Sequence, residues 1–73
     1  MGRTRILPLA AMDKLMRKAG APRVSDSAKE ALSDALEQKG LELGAEAVKL
    51  SQHAGRKTVT AADVALASRK NQA

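Results

Sequence analysis

The sequence predicts an all-α chain of three helices, short, long and short, whose central helix needs a second polypeptide to cover it. No Pro interrupts the stretch from Val24 to Gly55. Within it Leu32, Leu36, Leu43, Ala47, Leu50 and Ala54 recur at steps of three, four or seven, one apolar stripe on a helical period. A helix of roughly 28 residues is about 42 Å long. A compact chain of 73 residues is only about 25 Å across.

Each element has its own signals. Residues 1–6 lack periodicity and carry Arg3 and Arg5, which reads as a short mobile basic arm, its arginines either simply solvated or in contact with a polyanion. Pro8 suits the first turn of a helix, where its missing N–H costs nothing. Leu9, Met12, Leu15, Met16 and Ala19 then share one face of that helix, with Lys14, Arg17 and Lys18 on the others. Gly20 ends it, and Pro22 forbids simple continuation. After the extended Arg23-Val24, Ser25-Asp26-Ser27 offers short side-chain oxygens to cap the long helix.

Gly40 and Gly44 each cost about 1 kcal/mol relative to Ala inside a helix. Four residues apart, they suit close approach of another helix, the alternative being a slight bend. Gly55 ends the long helix, and Arg56-Lys57-Thr58-Val59 makes a strand-like loop. Thr60-Ala61-Ala62-Asp63 has the pattern of a capping box with Asp in place of Glu. The third helix continues through Val64, Ala65, Leu66 and Ala67 and is expected to fray near Arg69-Lys70. One domain is expected over residues 7–70, between the arm at 1–6 and a C-terminal end at 71–73.

Chains this short rarely bury enough apolar surface alone; disulfides, a structural metal or self-association are the usual remedies. With no Cys and a single His, His53, only self-association remains. Absent Cys also fits a reducing intracellular compartment. No aromatic residue occurs, so the core is aliphatic and alanine-rich, which lets helices approach closely. No apolar run is long enough to span a membrane and no signal-peptide core stands at the N-terminus, so a soluble, retained protein is expected.

The net charge of +5 is unevenly laid out. Up to Arg23, the basic residues Arg3, Arg5, Lys14, Arg17, Lys18 and Arg23 are set against only Asp13. Beyond Gly55, Arg56, Lys57, Arg69 and Lys70 are set against only Asp63, while the long helix between is mildly acidic. Basic surface confined to certain edges is the footprint of a polyanion binder. Gly55-Arg56-Lys57-Thr58 is no phosphate loop, because Leu50 stands where its other Gly is needed. With one His, no Cys and no acid pair in a pocket-forming context, no enzyme, metal site or cofactor is expected.

Leu7-Pro8-Leu9-Ala10, Ala19-Gly20-Ala21, Arg23-Val24-Ser25, Glu46-Ala47-Val48-Lys49-Leu50, His53-Ala54-Gly55-Arg56-Lys57-Thr58-Val59 and Ala61-Ala62-Asp63-Val64-Ala65-Leu66-Ala67 together resemble an archaeal histone over residues 6–70. The His-Ala-Gly-Arg-Lys-Thr string is the most specific part. The resemblance implies a histone fold in an intertwined head-to-tail homodimer, whose long helices cross antiparallel and bury the stripe. It sets Arg23 of one subunit beside Lys57 and Thr58 of the other.

Double-stranded DNA is the ligand so implied, on the chromosome in the cytoplasm. By the resemblance Arg23 enters a minor groove, as arginines of histones do, and Thr58 supports it near the phosphates. Lys57 and the paired N-termini of the first helices, flanked by Lys14, Arg17 and Lys18, hold the backbone. None of these contacts reads bases, so specificity would follow bendability.

Dimers would join through a four-helix bundle of Leu50, His53, Asp63 and Leu66, with His53 facing Asp63 of the neighbouring dimer. Repetition gives tetramers or an open superhelical filament, in which Gly20 marks close approach of successive turns. Arg56 pairs with Asp63 inside its own chain in one reading and touches DNA in the other. A paralogous histone is a further partner the resemblance admits.

Some positions depart from that pattern. Pro22 stands where a polar residue is common, Glu30 at an often apolar site and Thr60 where lysine is frequent. Asp34 and Gln38 differ from charged residues that tie adjacent superhelical turns. Two other functions fit parts of the chain. A histone-fold transcription or replication subunit needs a different chain as obligate partner. A basic amphipathic peptide acting on membranes is helical only on lipid, whereas a histone dimer unfolds cooperatively and with concentration dependence.

Overall fold

A computed structural model describes residues 5–70; Arg3 and most of the expected arm, and the end at 71–73, lie outside them. The helices are α1 (Leu9–Lys18), α2 (Asp26–His53) and α3 (Ala61–Lys70), with no strand among the described residues. This is the short, long, short order of the sequence, with 28 residues in α2.

Local chemistry fixes the ends. Pro8 is the cap of α1 rather than a member of its first turn: its backbone is extended, and its carbonyl accepts from the amides of Ala11 and Met12 at 3.2 and 3.3 Å. At the start of α2 the Ser25 hydroxyl accepts from the Ala28 amide at 3.1 Å. Thr60 and Asp63 cap α3 reciprocally. The Thr60 amide donates to the Asp63 carboxylate at 2.8 Å, and the Asp63 amide donates back to Thr60 Oγ1 at 3.4 Å.

Helices α1 and α2 terminate in the same way. Gly20 (φ 113°) and Gly55 (φ 73°) occupy the left-handed region that glycine adopts at least cost. The amides of Gly20 and Ala21 donate to Arg17 and Met16 carbonyls, each at 3.0 Å; those of Gly55 and Arg56 donate to Gln52 and Ser51 carbonyls, each at 2.9 Å. These paired bonds satisfy carbonyls that would otherwise lack partners.

By its contacts the chain divides into two compact units, Met1–Gln38 and Lys39–Ala73, with α2 running through both. In the first, Met12 is buried, while Leu7, Leu9, Met16, Leu32 and Leu36 are half-buried and Leu15 is exposed. Ser33 is fully buried, and its hydroxyl donates to the Leu7 carbonyl at 3.2 Å. Arg5 is not a solvated arm residue. Its guanidinium donates to the Asp34 carboxylate at 2.7 Å and reaches the Glu30 carbonyl at 3.5 Å.

In the second unit Ala47 and Ala67 are buried, Leu43 and Leu50 half-buried, and Leu41, Val48, Val64 and Leu66 exposed. The buried Ser51 hydroxyl turns back to the Val48 carbonyl at 2.9 Å. α3 ends at Lys70, whose Nζ meets the Glu46 carboxylate at 2.7 Å. Arg69 and Lys70 also suit the negative end of the helix dipole. A Cβ added at Gly40 or Gly44 would meet nothing within 4 Å, so the chain itself supplies no close helix there. Of the apolar stripe on α2, only Ala47 is fully buried.

Ser25→Ala removes the side-chain cap of α2 and should lower stability by about 1 kcal/mol. Urea unfolding at matched protein concentration checks this, with a shifted midpoint at unchanged slope as the expected result.

Candidate nucleic-acid interface

The first unit carries one basic edge. α1 places Lys14 and Lys18 in solvent, and the loop from Ala19 to Ser25 carries the exposed Arg23. Arg17 is also exposed, but its guanidinium is engaged: Nε donates to Asp13 at 3.0 Å and a terminal nitrogen donates to the Pro22 carbonyl at 3.2 Å. The spacing of Asp13 and Arg17, four apart on one helix, is a readable signal for the first bond. Nothing local announces the second.

The second unit carries another edge, in which Gly55 turns the chain into a loop with Lys57 and Thr58 exposed. Arg56 spans the loop as a two-pronged clasp. Its guanidinium donates to both Asp63 oxygens, at 2.8 and 2.9 Å, and to the Thr58 carbonyl at 3.0 Å. Asp63 accepts further from the Thr60 amide at 2.8 Å and the Thr60 hydroxyl at 3.1 Å. Arg56 and Asp63 are therefore brought together, and the Thr58 backbone is held from within its own chain. Among the described residues Lys14, Lys18, Arg23 and Lys57 have no ion pair to a carboxylate.

A family model described as histone-like transcription factor (CBF/NF-Y) and archaeal histone matches residues 5–67. The chain is 54% identical over 61 residues to a protein named as one subunit of the archaeal histone HAN1 in Thermococcus zilligii, an alignment covering 84% of this chain and 91% of that protein. Over 63 residues it is 44% identical to the protein named "Probable archaeal histone 3" of Methanocaldococcus jannaschii, covering 86% and 94%. The chain belongs to this histone family. Its three helices are a histone fold, and it is a DNA-binding histone.

The electrostatics of this histone centre on the clasp. The hydrogen bonds from Arg56 hold the Asp63 carboxyl well below the usual carboxylate range, helped by the Thr60 amide and opposed by burial. The same pair raises Arg56 above its ordinary value. Lys70 lowers Glu46 in the same sense. His53 is exposed in the last turn of α2, Leu50 is half-buried one turn earlier, and Leu66 is exposed on α3. Asp63 Oδ2 accepts from Arg56 and from both the amide and the hydroxyl of Thr60, whereas Oδ1 accepts from Arg56, which leaves Oδ1 the less occupied oxygen. Among the described residues no cluster of His, Cys, Asp and Glu is placed to hold a metal ion, and no helix is long and apolar enough to cross a membrane.

Because the Asp63 carboxyl is more acidic folded than unfolded, its stabilising effect is complete above about pH 5. It is lost progressively as pH falls below about 4, toward the depressed folded value. Asp63→Asn should lower the unfolding temperature at pH 7 and make the acid limb of the stability curve shallower. Thermal unfolding from pH 7 down to pH 2 measures both; an unchanged acid limb would count against the clasp as a source of stability.

Proposed function

We propose that this histone wraps and compacts chromosomal DNA with little sequence specificity, as head-to-tail dimers that assemble further on the duplex. The observation that carries the reading is that, among the described residues and besides Lys39, Lys49 and Arg69 on α2 and α3, four cations without carboxylate partners lie on α1 or the two loops. Lys14, Lys18, Arg23 and Lys57 lie on α1 or on loops braced by internal hydrogen bonds. Pairing of two chains along α2 would cover the half-buried leucines and bring Arg23 of one beside Lys57 and Thr58 of the other. Arg23 then enters the minor groove, Thr58 and Lys57 lie at the phosphates, and α1 presents Lys14 and Lys18 to the backbone, with Arg17 beside them engaged by Asp13 and the Pro22 carbonyl. No step in this requires catalysis, a metal or a cofactor.

Dimers join through Leu50, His53, Asp63 and Leu66, and Gly20 admits close approach between successive superhelical turns. The folded domain spans residues 7–70, and its place is on the chromosome. A paralogous histone is a second candidate partner, because the relative from Thermococcus zilligii is itself named as one subunit of a histone. Purification of the chain alone as a folded dimer would favour self-pairing. A chain that folds only with a paralogue would favour the other.

Nuclease digestion of long DNA saturated with the protein tests wrapping. A ladder of protected fragments with a constant step is expected for an extending filament, and one protected size for a closed particle. No protection by folded protein would overturn wrapping. Arg23→Ala should weaken binding to all duplexes alike and make the log affinity against log salt plot less steep by roughly 0.9 for each phosphate no longer neutralised. Binding titrations on several sequences at several salt concentrations check this, and a loss confined to one sequence would contradict it.

A further inference from the structure

We propose that Arg17 is a positioning residue for Arg23: it braces the first loop from within and acts on DNA through that loop, not as a phosphate ligand. The proposal rests on Arg23 as the groove arginine. Its first support is where the guanidinium goes. Arg17 is anchored on Asp13 at 3.0 Å and donates to the Pro22 carbonyl at 3.2 Å. That carbonyl belongs to the planar peptide unit that contains the Arg23 amide, so holding it orients the Arg23 backbone. The Pro22 ring fixes φ immediately before this unit. Arg17 also supplies its own carbonyl to the Gly20 amide at 3.0 Å. One residue thus ties both the start of the loop and the peptide that leads into Arg23.

The second support comes from the other unit, which contains the same construction. Arg56 is anchored on a carboxylate, Asp63, and donates to a loop carbonyl, Thr58, at 3.0 Å. Each brace follows from the same parts: a left-handed glycine ending a helix, a short loop bearing an exposed polar contact residue, and a guanidinium joining carboxylate to loop carbonyl. An arginine is suited to this because its rigid fork presents several donors at once, whereas a lysine is a single charge on a flexible stem. The two braces differ in exposure. The Asp13 and Asp63 side chains are 28% and 7% exposed, so the first brace is the more readily screened by salt.

Arg17→Lys separates the two roles, since lysine keeps the charge and binds phosphate but does not span Asp13 and Pro22 together. Lys and Arg have similar helix propensity, so α1 should persist; circular dichroism confirms that each variant is folded before titration. Four proteins are titrated with one duplex at several salt concentrations: the wild type, Arg17→Lys, Arg23→Ala and the double variant. The expected result is a loss of about fivefold in affinity for Arg17→Lys, the worth of one hydrogen bond, with the wild-type salt slope. In the Arg23→Ala background the same change should cost less than about twofold, because the residue it positions is gone.

Wild-type affinity for Arg17→Lys, or an equal loss in both backgrounds, would overturn the proposal and leave Arg17 acting as a direct cation. Wild-type affinity for Arg23→Ala would instead sink the groove reading itself, and it is read in the same titration without reference to Arg17.

Discussion

The constraint on which the rest depends is the length of α2 relative to what the chain offers to cover it. A helix of 28 residues is stabilised mainly by packing of its apolar face, because helix propensity alone is marginal in water. Here the residues buried on α2 are Ser33, Ala47 and Ser51, each with a small side chain, and the leucines of the stripe remain half-covered. Small side chains remove little apolar area from water, and area is what sets hydrophobic stabilisation. Gly40 and Gly44 lower helix propensity at positions where the chain supplies no neighbour. A second histone-fold chain lying along the stripe would account for the exposed apolar surface and for the glycines together, which is the physical ground for histone-fold dimerisation.

The loops are ordered by a different economy of interactions, local and polar. Each starts from a helix end closed by two backbone hydrogen bonds and finishes at a hydroxyl cap, Ser25 or Thr60. A guanidinium then holds one carbonyl between these fixed ends. Loops built this way lose little further conformational entropy when they meet DNA, and preorganisation of that kind favours binding without new contacts. It would also suit the low sequence specificity proposed above, because the geometry presented to a duplex would be set by the protein and not by the bases.

These features were unequally legible in the sequence. The terminating glycines, Ser25, and the pair Thr60 and Asp63 are short-range signals, so the three helices and their limits could be read directly. Matches to the histone family across residues 5–67 agree with the resemblance seen in the loop strings. Contacts far apart in sequence left no such mark. Arg5 reaches Asp34, Lys70 reaches Glu46 and Ser33 reaches Leu7, each across more than 20 residues, and each reverses or supplements a local expectation. Arg5 read as solvated, and Lys70 read as unpartnered at the end of α3, because a propensity argument has no term for a partner brought up by the fold. The basic edges were legible as charge; which cations were already occupied was not.

That distinction bears on how this histone meets DNA. Arg5, Arg17, Lys29, Arg56 and Lys70 each hold a carboxylate, whereas Lys14, Lys18, Arg23 and Lys57 hold none among the described residues, as is also true of Lys39, Lys49 and Arg69 on α2 and α3. A phosphate approaching an occupied cation must first displace an existing ion pair or hydrogen bond, and that cost offsets the Coulomb gain. An unoccupied cation releases only counterions, which gives the steep salt dependence of DNA binding. A net charge of +5 therefore understates the division of labour. On the proposed reading, occupied arginines set the shape of the edge, and Lys14, Lys18, Arg23 and Lys57 would supply most of its attraction for the backbone.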